Sequence, residues 1–122
     1  MKLFKNFFTK NIVTSKTILK IVATVGKNVL INGNTEDAKD IFESIVEEEA
    51  IIGLFLADRT GKIIYASNAK FLNQSIAKVF PTLDTHKHSI GWGSSDHQLV
   101  TSLAIFHTYG QIGNVVLITK KL

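Results

Sequence analysis

The stretch that most constrains the fold is a pair of apolar segments joined by a tight polar turn. Ala50–Ala57 is apolar almost without interruption, Asp58-Arg59-Thr60-Gly61 is polar, and Lys62–Ser67 is largely apolar again. An apolar run of this length predicts a strand that is covered on both faces. Asp at the start of a turn accepts backbone N–H bonds, and a Gly three positions later tolerates a positive φ. The sequence therefore predicts a β-hairpin.

Two helices are predicted before the hairpin. Apolar residues recur at helical spacing from Ile18 to Val29, which predicts a helix over about residues 16–31, although Gly26 is unfavourable there. A second apolar stripe predicts a helix over about residues 36–49, with Thr35 as its N-cap.

The rest of the chain predicts further strands. A short helical segment is expected between Ala69 and Lys87, where Pro81 ends it. Three strands are predicted, at Ser89–Trp92, His97–Tyr109 and Ile112–Thr119, with Gly113 marking a close backbone approach. We therefore expect an α+β fold in one domain, residues 1–122: a five-stranded antiparallel sheet with N-terminal helices packed on one face. Residues 1–31 form an N-terminal helical extension and residues 35–122 form the core.

Composition and charge exclude several classes of function. The chain has no cysteine, which excludes disulfides and thiol catalysis, and one arginine, which argues against nucleic-acid binding. A basic start precedes the acidic second helix, so the net charge of +4 does not describe one basic face. No segment has the roughly 20 apolar residues of a membrane span, and no signal peptide is recognisable. We expect a cytoplasmic protein, with a soluble extracytoplasmic part of a membrane sensor as the alternative.

The N-terminal residues 1–13 allow two interpretations. Phe4, Phe7 and Phe8 fall at helical spacing there, and three lysines accompany them. A short helix that packs on the body is the simpler interpretation, and a weak anchor at a membrane surface is the other.

Histidines and serines suggest catalytic or metal sites only superficially. The four histidines, His86, His88, His97 and His107, lack the fixed set of three or four ligands that a metal site needs. Ser94, Ser95, Asp96 and His97 are too close in sequence to supply a nucleophile and a base in the right geometry. We therefore expect no metal site and no enzymatic activity.

The hairpin and the C-terminal strands resemble a known family. The sequence IIGLFLADRTGKIIYASNAKFLNQSI resembles the opening of PAS or Cache sensor domains, and VTSLAIFHTYGQIGNVVLITKK is similar to the closing hairpin of Cache-like domains. The resemblance covers about residues 30–120. It implies a profilin-like architecture and a non-catalytic sensory or ligand-binding module of bacterial signal transduction, with no particular cofactor indicated. The alternative is a ligand-free homodimerisation or protein-interaction scaffold.

The resemblance also implies where a ligand would lie, between the sheet and the segment 68–92. Strand alternation puts Ile63, Tyr65 and Ser67 on one face, and Thr101 and His107 on one face of the long strand. A polar ligand needs a few donors in an apolar site, and the candidates are Tyr65, Ser67, Trp92, Thr101 and His107. In the alternative, Phe71, Phe80 and Leu83 fill the same space.

A homodimer is expected through the helix over 16–31. Leu19 and Leu30 lie off its main apolar stripe. A helix that is too apolar for one buried face requires a second partner surface. Sensor domains of the type that this chain resembles also commonly pair through such a leading helix.

Overall fold

The computed structural model describes residues 15–84, 89–92 and 98–120, and for Ser15, Lys16 and residues 89–92 it describes the backbone alone. The elements are α1 (Ser15–Asn32), α2 (Thr35–Val46), β1 (Ile51–Asp58), β2 (Ile63–Ala66), a 3₁₀ turn (Ala69–Phe71), α3 (Ile76–Val79), β3 (Ser89–Trp92), β4 (Gln98–His107) and β5 (Gly110–Lys120). The interpretations of residues 1–13 lie outside the described residues. No described helix is long and apolar enough to cross a membrane.

The strands form one antiparallel sheet in the order β2-β1-β5-β4-β3. Strand β5 is central and pairs along most of its length with β1 and with β4. The hairpin β1–β2 therefore lies on one side of β5, and the strands β3 and β4 lie on the other. The predicted α+β class, with N-terminal helices on one face of an antiparallel sheet, is confirmed.

The two faces of the sheet carry separate hydrophobic clusters. On the face that we call the helix face, α1 and α2 pack against Leu54, Leu56 and Leu117. On the opposite face, called the groove face, Phe55, Ala57 and neighbouring residues pack with α3 and the segment that follows it. Both faces of β1 and β5 are buried, which explains why these strands read as continuous apolar runs.

The turn between β1 and β2 forms as the sequence predicts. Asp58 Oδ1 accepts hydrogen bonds from Thr60 N–H at 2.9 Å, Thr60 Oγ1 at 2.7 Å and Lys62 N–H at 3.1 Å. Gly61 has a φ of +84°, a backbone conformation that would be strained in a residue with a side chain. Partial burial alone would raise the pKa of Asp58, but these hydrogen bonds outweigh it and hold the pKa below its usual value.

A β-bulge in β2 changes the predicted strand faces. Leu56 pairs with Tyr65, and Ala57 pairs with Ile63, so Ile64 is an extra residue in β2. The prediction that Ile63 and Tyr65 share a face is therefore wrong. Ile63 is buried in the groove-face cluster, whereas Tyr65 packs on the helix face.

Helix α2 is shorter at its C-terminus than predicted. It ends at Val46, and Asn34 rather than Thr35 is the N-cap. Glu47, Glu48 and Glu49 follow, and negative charge at a helix C-terminus opposes the helix dipole. Instead, Glu48 takes part in a turn in which its carbonyl accepts from Ile51 N–H at 3.0 Å.

Helix α1 lies directly on the sheet and buries more of its surface than predicted. Leu19 has an exposed fraction of 0% and belongs to the helix-face cluster of its own chain. Leu30 is half-buried and packs against the same cluster. The apolar surplus that suggested a dimer is thus used within one chain. Homodimerisation stays a prediction, without this sequence argument for it.

Two glycines allow this close packing. A Cβ added at Gly113 would lie 2.3 Å from the carbonyl oxygen of Ala57 and 2.7 Å from Leu30 Cδ1. A Cβ added at Gly26 would lie 2.9 Å from Leu56 Cδ1. The predicted close approach at Gly113 is confirmed, and Gly26 is explained by the short distance between α1 and the sheet.

Candidate ligand-binding groove

The segment 69–84 crosses the groove face and leaves a cavity beneath it. The cavity has a volume of about 560 Å³, which lies within the range of small-molecule sites. Its apolar lining comes from both the sheet and the crossing segment. The described lining residues are Phe55, Phe71, Gln74, Lys78, Val79, Phe80, Pro81, Thr82, Leu83, Gln98, Val100 and Ile118.

Backbone hydrogen bonds hold the crossing segment against the edge strand β2. Ile63 N–H donates to Gln74 O at 2.9 Å, and Asn73 N–H donates to Ile63 O at 2.9 Å. Ile76 N–H donates to Gly61 O at 2.8 Å, which places the start of α3 at the hairpin turn. These bonds occupy the otherwise open edge of β2 and fix one wall of the groove.

Three aromatic rings form the apolar wall of the groove. The ring of Phe55 on β1 lies 5.1 Å from that of Phe80 and 5.7 Å from that of Phe71, both edge to face. Phe71, Phe80 and Leu83 are only partly buried and pack against the groove-face cluster. The side chains that were expected to fill this space therefore cover part of it, and the cavity remains beside them.

Polar groups are few in the lining of the cavity. The polar side chains that line the cavity come from Gln74, Lys78, Thr82 and Gln98. Among the described lining residues, Lys78 carries the only charge. An apolar wall with a few polar groups suits a small molecule that has an apolar body and a polar end.

Two of the predicted site residues lie on the helix face instead. Tyr65 contacts Phe42 of α2, with ring centroids 4.9 Å apart. Thr101 pairs with Leu117, and its hydroxyl donates to the carbonyl of Leu117 at 3.4 Å. The groove face of β4 carries Val100 and Ser102, which alternate with Thr101, and the Ser102 hydroxyl donates to Asp84 O at 3.2 Å.

Ser67 and His107 are not brought together with them or with each other. Ser67 is exposed at the end of β2, where its hydroxyl oxygen accepts from Leu54 N–H at 3.0 Å. His107 is exposed at the far end of β4, where it pairs with Gly110. The backbone of Trp92 pairs with Leu99, and its side chain lies outside the described residues.

A second, smaller cavity lies on the helix face. It has a volume of about 310 Å³ between α1, α2 and the hairpin, and Tyr65 lines it together with Lys39 and Asp58. Burial and, to a smaller extent, the charge of Glu43 raise the pKa of the Tyr65 phenol. Among the described residues, no group of three or more His, Asp or Glu side chains has an arrangement that suits a metal ion. His86, His88 and His97 lie outside them.

Sequence reasoning missed the residues that line the groove. Gln98, Val100 and Ile118 lie on strands that the sequence predicts, but on the face opposite to the one selected. Strand alternation gives two sets of residues, and the position of α1 and α2 decides which set faces the groove. Both sets are largely apolar in β4 and β5, so the sequence pattern does not indicate which set faces the groove.

No family model matches the sequence, and no curated protein matches it. Solved structures of sensor domains are similar to it. The ligand-binding domain of the Pseudomonas aeruginosa amino acid chemoreceptor PctC, in complex with GABA, is 20% identical, with a TM-score of 0.49; the match covers 70% of this chain and 38% of that domain. The ligand-binding domain of the Pseudomonas fluorescens chemoreceptor CtaA, in complex with L-serine, is 14% identical, with a TM-score of 0.45. That match covers 67% of this chain and 37% of the CtaA domain.

A sensory box sensor histidine kinase from Vibrio cholerae is 11% identical, with a TM-score of 0.42; the match covers 74% of this chain and 95% of that one. The similar structures thus belong to the Cache-like and PAS classes of sensor that the sequence resembles. The match spans little more than a third of the two chemoreceptor domains. Similarity with TM-scores below 0.5 carries no conclusion about what this chain binds.

Proposed function

We propose that this protein is a sensory module of signal transduction that binds a small molecule in the groove between the sheet and the segment 69–84. The observation that carries the proposal is the cavity of about 560 Å³ beside Phe55, with aromatic walls and a few polar side chains. The ligand has an apolar body that contacts the phenylalanine rings. No catalytic step is proposed.

The construction of the groove supports this proposal. One wall is the central part of the sheet, and the other is a short segment held by backbone hydrogen bonds to β2. Ligand contacts that displace this segment would also displace the hairpin turn, because the backbone N–H of Ile76 donates directly to Gly61 O of that turn. Such a segment is suited to report occupancy of the groove to a partner.

A ligand-dependent change in stability tests the proposal. Purified protein is heated with a library of metabolites, and a ligand present at 100 times its Kd adds about 2.7 kcal/mol to the free energy of unfolding. The variant Gln98→Trp places a large ring in the groove at a half-buried position of the sheet floor. It should lose the ligand response, whereas Gln111→Trp, on the β4–β5 hairpin away from the groove, should keep it. The proposal is contradicted if no compound stabilises the wild-type protein, or if every stabilising compound stabilises Gln98→Trp as much as Gln111→Trp.

The second candidate function is a protein-interaction scaffold, and the end of the β4–β5 hairpin favours it. Phe106 is 54% exposed and Tyr109 is 97% exposed. Exposed aromatic residues are enriched in protein interfaces. If the scaffold is the function, Phe106→Ser and Tyr109→Ser abolish self-association or partner binding, and no small molecule stabilises the chain.

The finer structural expectations belong to the same proposal. We infer the five-stranded PAS/Cache (profilin-like) architecture for the single domain, a homodimer as its working form, and a cytoplasmic location. The extracytoplasmic part of a membrane sensor is the alternative location. Sedimentation of the purified chain and fractionation of cells that express it test the last two.

A further inference from the structure

The smaller cavity, on the helix face, has opposite charges on two of its walls. It has a volume of about 310 Å³ and lies between the end of α1, the first two turns of α2 and the β1–β2 hairpin. Lys39 lines it from α2, and Asp58 lines it from the hairpin. Among the described residues, neither of these side chains forms an ion pair. Both charges are therefore available to a ligand.

Helix geometry places the positive charge at the edge of an apolar wall. Ala38 and Phe42 are four residues apart on α2, and both are buried on the side of the helix that faces the sheet. Lys39 lies between them in sequence, and its own side chain is exposed. Long lysine side chains lie along apolar surface and keep the ammonium group toward water. The cation is thus at the solvent end of the α2 wall.

The hairpin supplies the opposite wall and a fixed carboxylate. Leu56 and Asp58 are two residues apart on β1, so both side chains lie on the helix face. Asp58 Oδ1 accepts the three hydrogen bonds of the turn, and Oδ2 takes part in none of them. A pKa below its usual value keeps this carboxyl group ionised at neutral pH.

The lining between the two charges is largely apolar. Phe42 and Tyr65 lie on one side of the cavity, with ring centroids 4.9 Å apart. The apolar lining residues are Val29, Leu30, Ala38, Phe42, Leu56 and Ile64. A molecule that carries one charge would leave the opposite charge of the cavity unmatched, and a neutral molecule would leave both unmatched. A molecule with both charges and an apolar side chain matches every part of this lining.

We propose that this cavity is a second binding site, which takes a small zwitterion with an aliphatic side chain. The Lys39 ammonium group donates to the ligand carboxylate, and Asp58 Oδ2 accepts from the ligand ammonium group. The aliphatic side chain lies against Phe42 and Leu56. The inference does not rest on the proposed function, because the groove lies on the opposite face of the sheet.

L-Leucine and two of its fragments test this assignment. 4-Methylpentanoate is leucine without the ammonium group, and isoamylamine is leucine without the carboxylate. Each is titrated into ¹⁵N-labelled full-length protein and followed by two-dimensional NMR. We expect L-leucine to shift the backbone resonances of Lys39 and Tyr65. Each fragment should bind about tenfold more weakly, because one charge of the cavity then has no partner.

Two variants assign the two charges separately. Lys39→Met should bind L-leucine about tenfold more weakly and isoamylamine as the wild type does. Asp58→Asn keeps an oxygen for the turn; it should bind L-leucine about tenfold more weakly and 4-methylpentanoate as the wild type does. Lys20→Met, at an exposed position of α1 that does not line the cavity, is the control and should bind L-leucine normally. Where Asp58→Asn does not fold, Lys39→Met decides the assignment alone.

The other outcomes overturn the second site without touching the groove. If the fragments bind as tightly as L-leucine, or if Lys39→Met binds L-leucine as tightly as Lys20→Met, the cavity does not recognise a zwitterion. If L-leucine shifts Phe71 and Val79 instead, it binds in the groove, and the proposed function stands while the second site falls. If L-leucine shifts no residue, the second site is overturned, and the metabolite screen tests the groove independently.

Discussion

Substitution of Gly113 by alanine tests how closely the strands and α1 approach each other. The new Cβ would lie 2.3 Å from the carbonyl oxygen of Ala57, a backbone atom held in the β1–β5 pairing, and 2.7 Å from Leu30 Cδ1. Side-chain carbons do not approach other atoms this closely, so β5 must move away from β1 by several tenths of an ångström. The hydrogen bonds beside Asp58 would lengthen as a result.

The cost of this substitution follows from two terms. Overpacking of a filled core costs roughly 1–3 kcal/mol, and a weakened backbone hydrogen bond adds about 1 kcal/mol. Alanine also lowers the conformational entropy of the unfolded chain, which offsets about 0.5 kcal/mol of this loss of stability. We expect Gly113→Ala to lower the free energy of unfolding by about 2.5 kcal/mol, which corresponds to a fall of roughly 10 °C in melting temperature.

Gly26→Ala is the matched control for this experiment. Its Cβ would meet Leu56 Cδ1 at 2.9 Å, which is the end of a flexible side chain, and alanine is favoured over glycine in a helix by about 1 kcal/mol. We expect a change within about 1 kcal/mol of zero. Urea unfolding measures both variants. A Gly113→Ala protein that is as stable as Gly26→Ala would refute the close approach of β5 to β1.

Four further predictions concern stability and binding. Leu19→Glu should unfold the single chain, by more than about 4 kcal/mol in urea titration, because it buries an unpaired charge, and a folded variant would contradict the packing of α1. Phe80→Ala should cost about 2 kcal/mol in the same assay and weaken ligand binding, since it removes the ring beside Phe55; unchanged affinity would argue against the groove. Thr101→Val should cost about 1 kcal/mol and leave ligand binding unchanged, because its hydroxyl faces the helices; lost binding would place the site there. Between about pH 5 and pH 2, the wild type should lose more stability than Asp58→Ala, since a lowered folded-state pKa gives stabilisation that disappears as the pH falls through it; equal losses would contradict the turn geometry.

Local signals in the sequence were enough to predict the secondary structure. The Asp58–Gly61 turn is defined by one carboxylate and one glycine, and both act as their residue types imply. The spacing of apolar residues predicts the two N-terminal helices. Only their ends differ from the prediction, most clearly at Val46, where α2 ends before three glutamates. These features depend on neighbours within a few residues, so a single sequence contains the necessary information.

The candidate site depended on information that the sequence does not contain. Ile64 forms a bulge, which places Ile63 and Tyr65 on opposite faces, whereas simple alternation would place them on the same face. In β4 and β5 both faces are apolar, so the pattern does not say which one the helices cover.

A crystal structure of the purified chain with acetophenone, a small molecule with an apolar ring and one polar end, tests the central claim most directly. The account predicts electron density for one probe molecule in the cavity beside Phe55 and Phe80, in contact with Val100 and Ile118 of the sheet. A groove in which the rings of Phe71 and Phe80 occupy the whole cavity and exclude the probe would contradict it.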